Sequence, residues 1–97
     1  MYVAVVSYKF RPDKMEEAVS IWRDSLLPIA KQQQGFKSGL LLTDPNTGKG
    51  IGIGFWETAA DANAFVNSGL FRQLVAKFGD IAVEPPVREQ YKVSVQA

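Results

Sequence analysis

Gly50, Gly52, Gly54 and Trp56 alternate with Ile51, Ile53 and Phe55, so in an extended strand the three glycines and the tryptophan share one face. Glycine weakens a strand through backbone entropy and offers no surface to pack, so this face implies that something approaches it closely. Two occupants suit it: a flat ligand lying beside Trp56, or a bulky side chain from a helix or a second subunit. Trp22, Trp56, Phe65 and Phe71 are the rings that can stack on a planar molecule. Arg72 or Arg23 can stabilise a phenolate, and Ser7, Asn63 or Tyr91 can hydrogen-bond an oxygen. Each has a plainer role beside it, since Trp22, Phe65 and Phe71 recur at core-like helical spacing and both arginines suit a solvated helix surface. Glu89 shares a strand face with Val87, Tyr91 and Val93. Turned inward it is a candidate general base, and turned outward it is a partner for an arginine at an interface edge. The candidate catalytic groups are therefore Arg72, Glu89 and Tyr91. The candidate substrate contacts are Ser7, Trp22, Gly52, Gly54, Trp56, Asn63, Phe65 and Phe71.

What the chain lacks narrows the chemistry further. Its 97 residues contain no cysteine and no histidine, which removes disulfides, thiolate metal sites, thiol nucleophiles, the usual base near neutral pH and the usual haem ligand. No metal and no cofactor is expected. Eleven basic residues face ten acidic ones for a net charge of +1, so no basic field attracts a phosphate backbone and nucleic acid is not expected as a partner. No apolar run approaches the roughly 18 residues of a membrane span, and the N-terminus lacks a signal-peptide layout, so no membrane association and a cytoplasmic location are expected. The stretch Gly48-Lys49-Gly50-Ile51-Gly52 is not a phosphate loop, because a hairpin precedes it and a strand contains it.

The elements that must position these residues follow from the pattern. Tyr2 to Phe10 is rich in β-branched and aromatic residues on both faces and reads as a first strand. Asp13 and Glu16 have capping-box spacing, and Met15, Ala18, Val19, Trp22, Leu26, Ile29 and Ala30 form one apolar stripe of a helix. Pro28 predicts an irregular last turn, and Gly35 a left-handed cap. Phe36 to Thr43 and about Lys49 to Glu57 read as a hairpin joined by Asp44-Pro45-Asn46-Thr47-Gly48. Thr58 and Asp61 cap a second helix that Gly69 interrupts and Gly79 ends. Ile81 to Val95 is extended, broken at Pro85-Pro86, with Val87, Glu89, Tyr91 and Val93 opposite a wetter side of Arg88, Gln90 and Lys92.

The order is β-α-β-β-α-β: an α+β, ferredoxin-like arrangement with a four-stranded antiparallel sheet and its helices on one face, forming a single domain over residues 1–97. Two helices cover only one face of the sheet, whereas the first three strands carry apolar or small residues on both. Leaving roughly half a dozen such side chains in water forgoes about 1.5–3 kcal/mol each, comparable in sum to a small domain's stability. A homodimer with its sheets face to face is expected.

The stretches Ser7 to Trp22 (SYKFRPDKMEEAVSIW), Gln34 to Asp44 (QGFKSGLLLTD) and Phe55 to Phe65 (FWETAADANAF), with this order of elements, resemble the antibiotic biosynthesis monooxygenase-type domains of the dimeric α+β barrel superfamily. The resemblance runs nearly end to end. It implies a dimer with a cavity between sheet and helices in each subunit. Characterised members include cofactor-free oxygenases of aromatic polyketides and haem-degrading enzymes, and others have no established activity. The haem-degrading members use an asparagine, a tryptophan and a histidine at positions that match Ser7, Phe65 and Val75 here. Tyr2, Tyr8 and Tyr91 do not fall at the ligand's place, so haem is not expected. What the resemblance leaves is a cofactor-independent monooxygenase acting on a small aromatic ligand of quinol type. The alternative is a non-catalytic small-ligand-binding or stress-associated barrel.

Overall fold

A computed structural model describes all 97 residues. Strand β1 (Tyr2–Lys9) is central and pairs antiparallel with β3 (Lys49–Trp56) on one side and β4 (Val87–Lys92) on the other, while β2 (Phe36–Asp44) extends the sheet beyond β3. The order is β2-β3-β1-β4, the ferredoxin-like α+β fold expected from the order of elements. Residues directly opposite across a ladder share a face. The register Ala4↔Gly54, Val6↔Gly52 and Tyr8↔Gly50 therefore puts the glycine side of β3 with the buried side of β1. Helices α1 (Met15–Ile21), α2 (Leu27–Lys31), α3 (Ala59–Asn67) and α4 (Leu70–Val75) cover that side. The core sits between, with Phe10 and Phe78 its largest fully buried side chains.

The first helical segment departs from its expected start. A single 3₁₀ turn, Pro12–Lys14, precedes α1, no side chain caps either piece, and Asp13 pairs with Arg11 at 3.3 Å instead. Between α1 and α2 runs a π-helical turn, Trp22–Leu26, in which the Leu27 N–H donates to the Trp22 carbonyl. Pro28 is the physical cause, since it has no N–H for the Asp24 carbonyl and its ring crowds that oxygen. The irregularity predicted from Pro28 thus lies on the turn before it, and Gly35, at φ 82°, follows the helix end.

In the hairpin, Asp44 Oδ1 accepts from the Asn46 N–H at 3.0 Å and Thr47 Oγ1 from the Lys49 N–H at 3.2 Å. Gly48 is required there, because φ is 84° and a side chain would run into the Phe10 carbonyl. A bulge in β2 between Phe36 and Ser38 turns Phe36 toward the helices, where it meets Trp56 edge-on at 5.3 Å. Thr58 caps α3 by accepting from the Asp61 N–H at 3.1 Å, and Gly69, at φ 86°, breaks α3 from α4. The chain passes Gly79 as a 3₁₀ segment, Ala76–Ile81, and the last strand is shorter than expected, being confined to β4.

The faces of β4 are the reverse of the sequence-based expectation. Arg88 and Gln90 lie opposite Val6 and Ala4 and are half-buried under the helices, whereas Val87, Glu89 and Tyr91 point to the uncovered side. As an edge strand, β4 takes its facing from the β1 register. Its apolar side belongs to the same uncovered surface as Val3, Val5, Ile51, Ile53, Leu40 and Leu42.

Candidate functional site

A cavity of about 50 Å³ lies between the glycine side of the sheet and the helices. Gly39, Gly52 and Gly54 border it from the sheet, and the rings of Tyr8, Trp22, Phe36, Trp56, Phe65 and Phe71 surround it. The glycines are there first for these rings. A Cβ on Gly50 would lie 2.8 Å from Phe10 Cε2, one on Gly52 3.1 Å from Trp22 Nε1, and one on Gly54 3.1 Å from Trp56 Nε1. The close approach that the alternating glycines predicted is made by the chain's own aromatic side chains. They pack with one another as well: Trp56 and Phe65 have centroids 5.6 Å apart, and Phe65 meets Phe71 edge-on at 6.1 Å.

Of the residues singled out from sequence, Trp22, Gly52, Gly54, Trp56, Phe65 and Phe71 come together at this cavity. Five others lie away from it in the single chain. Ser7, Glu89 and Tyr91 lie on the opposite face of the sheet, because β1 and β4 present alternate residues to opposite sides. In the single chain Glu89 is exposed, and its carboxylate accepts from the Tyr91 hydroxyl at 2.6 Å. That hydrogen bond is also what raises the Tyr91 phenol above its ordinary value. Asn63 and Arg72 are exposed on α3 and α4, pointing away from the sheet. Arg23, the other cation considered, pairs with its neighbour Asp24 at 3.0 Å in water, which lowers that carboxyl.

Two residues of the cavity escaped sequence reasoning. Arg88 is the only charged residue lining it. It donates to Gln90 Oε1 at 2.9 Å and to the Ala62 carbonyl at 3.5 Å, and no carboxylate forms a salt bridge with it. Loss of hydration lowers its pKa, with no opposing charge to offset the effect. Tyr8 is 4% exposed, and burial pushes its phenol far above the ordinary value of 10.0, with the neighbouring Trp22 acting in the opposite sense. The alternation of Ala4, Val6 and Tyr8 was a usable signal for Tyr8, once that side of β1 is matched to the glycine side of β3. For Arg88 there was none, since the apolar residues of β4 lie on its other side.

The cavity is thus mostly apolar, and the residues on its wall that can form side-chain hydrogen bonds are Tyr8, Trp22, Trp56 and Arg88. No group of three or more acidic residues is placed to hold a metal ion, and no helix is long and apolar enough to cross a membrane.

Comparison with known proteins agrees with this architecture. Residues 1–77 match the family model for antibiotic biosynthesis monooxygenase. The monooxygenase from the gene ActVA-Orf6 of Streptomyces coelicolor, solved with the ligand nanaomycin D, is 16% identical, with 99% of this chain and 89% of that one covered at a TM-score of 0.76. A protein of unknown function from Nitrosomonas europaea is 16% identical over 99% of this chain and 91% of its own, at a TM-score of 0.80. Rv0793 from Mycobacterium tuberculosis is 16% identical over 100% and 99%, at 0.76. Identities this low speak for the fold alone. No curated protein matches the chain. With the model covering more than three quarters of its length, the chain belongs to the antibiotic biosynthesis monooxygenase family.

Proposed function

We propose that the protein is a cofactor-independent monooxygenase that oxidises a small aromatic molecule of quinol type in the cavity under the helices. The observation that carries this reading is Arg88, an unpaired, half-buried cation on the wall of an otherwise aromatic cavity. A phenolic ring that has lost its proton can itself reduce dioxygen. One electron passes to O₂, the ring radical and superoxide join at carbon, and the hydroperoxide loses water to leave a carbonyl. One oxygen atom enters the product and the other leaves as water, so no metal or flavin is required. The protein's part is to orient the ring, favour its anion and exclude water. Arg88 favours the anion, the rings of Trp56 and Phe65 hold the plane, and the apolar walls exclude solvent. Support from outside the chain is the Streptomyces coelicolor monooxygenase of the same fold, solved with nanaomycin D.

The cavity of about 50 Å³ is well below the roughly 300–1,000 Å³ of an occupied small-molecule pocket. A substrate therefore enters as the α3–α4 wall, carrying Phe65, Val66 and Phe71, moves outward about the break at Gly69. Oxygen uptake over a panel of hydroquinones and anthrones tests the reading. Turnover above the protein-free control is expected, falling about tenfold or more in Arg88→Leu as the anion loses its cation. No rate above the control across the panel would leave the non-catalytic binding reading in its place.

The proposal includes a second copy of the chain. Leu40, Leu42, Val87 and Tyr91, between 41% and 60% exposed, lie on the one sheet face that no helix covers. A face-to-face dimer would bury them.

A further inference from the structure

We propose that Gln90 is the positioning residue for Arg88: its side-chain carbonyl holds the guanidinium at the cavity wall and, being neutral, leaves the positive charge free to act on a bound anion. This deepens the reading of Arg88 as the cation that favours the substrate anion, and it rests on that reading. Gln90 does not line the cavity, whereas Arg88 does, so Gln90 acts through its neighbour. The two stand two residues apart on β4, opposite Ala4 and Val6 of β1, and so share the face under the helices. Ala4 and Val6 are apolar and offer the guanidinium no side-chain acceptor. Two oxygens hold it instead, Gln90 Oε1 at 2.9 Å and the Ala62 carbonyl at 3.5 Å. The second lies at the long limit of a hydrogen bond and belongs to α3, the wall that moves, while Gln90 is fixed by the register of β4 with β1. Gln90 is therefore the contact that persists as the wall opens. A guanidinium only donates, so the amide must turn its oxygen toward Arg88. A carboxylate in that place would hold as firmly but would cancel the charge. No salt bridge reaches Arg88, and the loss of hydration that lowers its pKa has no opposing charge to offset it. Without the amide oxygen, the flexible stem is free to carry the charged head out to water.

4-Nitrophenol, whose neutral and anionic forms absorb at different wavelengths, tests this when it is titrated with acid and base while bound to the full chain. In the unaltered protein its ionisation midpoint is expected about one pH unit below that of the free probe, a tenfold preference for the anion. Gln90→Met keeps the length and bulk of the side chain without the acceptor, and is expected to lose about half of that shift or more as Arg88 swings away. Gln90→Glu keeps the hold and cancels the charge, and is expected to return the midpoint to the free value or above it. A role confined to packing or stability would leave the midpoint unmoved in both. Retention of the unaltered midpoint in either variant would overturn the inference and leave the cavity reading standing. Failure of the unaltered protein to bind the probe, or binding with no shift, would overturn the reading of the cavity and of Arg88, and the inference with it. Should Gln90→Met fail to fold, as circular dichroism would reveal, Gln90→Leu takes its place in the comparison.

Discussion

Tyr8 joins the core to the cavity. Its ring stacks on Phe10 at 5.1 Å and tilts against Phe78 at 5.5 Å, and the residue also lines the cavity. Burial raises its pKa from the ordinary value of 10.0, so the folded state holds the proton more firmly than the unfolded chain does. The resulting stabilisation is fully present below about pH 10 and is lost as pH rises from there toward the folded-state value. Denaturant titrations between pH 8 and pH 11 are expected to show stability falling above about pH 10 in the unaltered protein and less steeply in Tyr8→Phe. Equal slopes would place the phenol in water. At this scale the glycine and tryptophan side of β3 was legible, because alternation in a strand is a strict period. Arg88 was not: with Val87, Tyr91 and Val93 apolar or aromatic enough to suggest a buried side, only the register with β1 reveals which side the helices cover.

Among the elements, the helical layer carries the irregularities. The π turn at Trp22–Leu26 precedes Pro28, and Trp22 and Leu26, its two buried residues, both border the cavity. Opposite them, α3 and α4 meet at Gly69, where no atom lies within 4 Å of an added Cβ. That open corner is where the wall can shift. The start of α3 is anchored by Thr58, so Thr58→Ala is expected to cost about 1 kcal/mol in denaturant unfolding, with Thr58→Ser restoring most of it. A loss confined to Thr58→Ala would fit the cap, and equal losses in both would not. Thr58 and Gly69 were readable because capping and helix breaking are local chemistry. The capping spacing of Asp13 and Glu16 misled for the opposite reason: Arg11, two residues away, offers Asp13 a charged partner, and the chain enters the helix through a 3₁₀ turn at Pro12 instead.

For the whole molecule, the order of elements was enough to reach the sheet and its one-sided helical cover, since β-α-β-β-α-β leaves few topologies. The two faces of that sheet divide the labour proposed for it, one closing over a ligand and the other closing against a second copy. Light scattering is expected to give twice the 10.7 kDa chain mass, and Leu42→Glu, on the uncovered apolar surface, to shift it toward a single chain. A mass near 10.7 kDa for the unaltered protein would remove the dimer.

The central claim is that the space between sheet and helices receives an aromatic ligand, and a crystal structure of the protein grown with 1,4-naphthoquinone addresses it most directly. The ring is expected between Trp56 and Phe65, with one oxygen within hydrogen-bond distance of the Arg88 guanidinium and the α3–α4 wall displaced outward from Gly69. A ring bound elsewhere, with Trp22, Trp56 and Phe65 still filling the space, would contradict it.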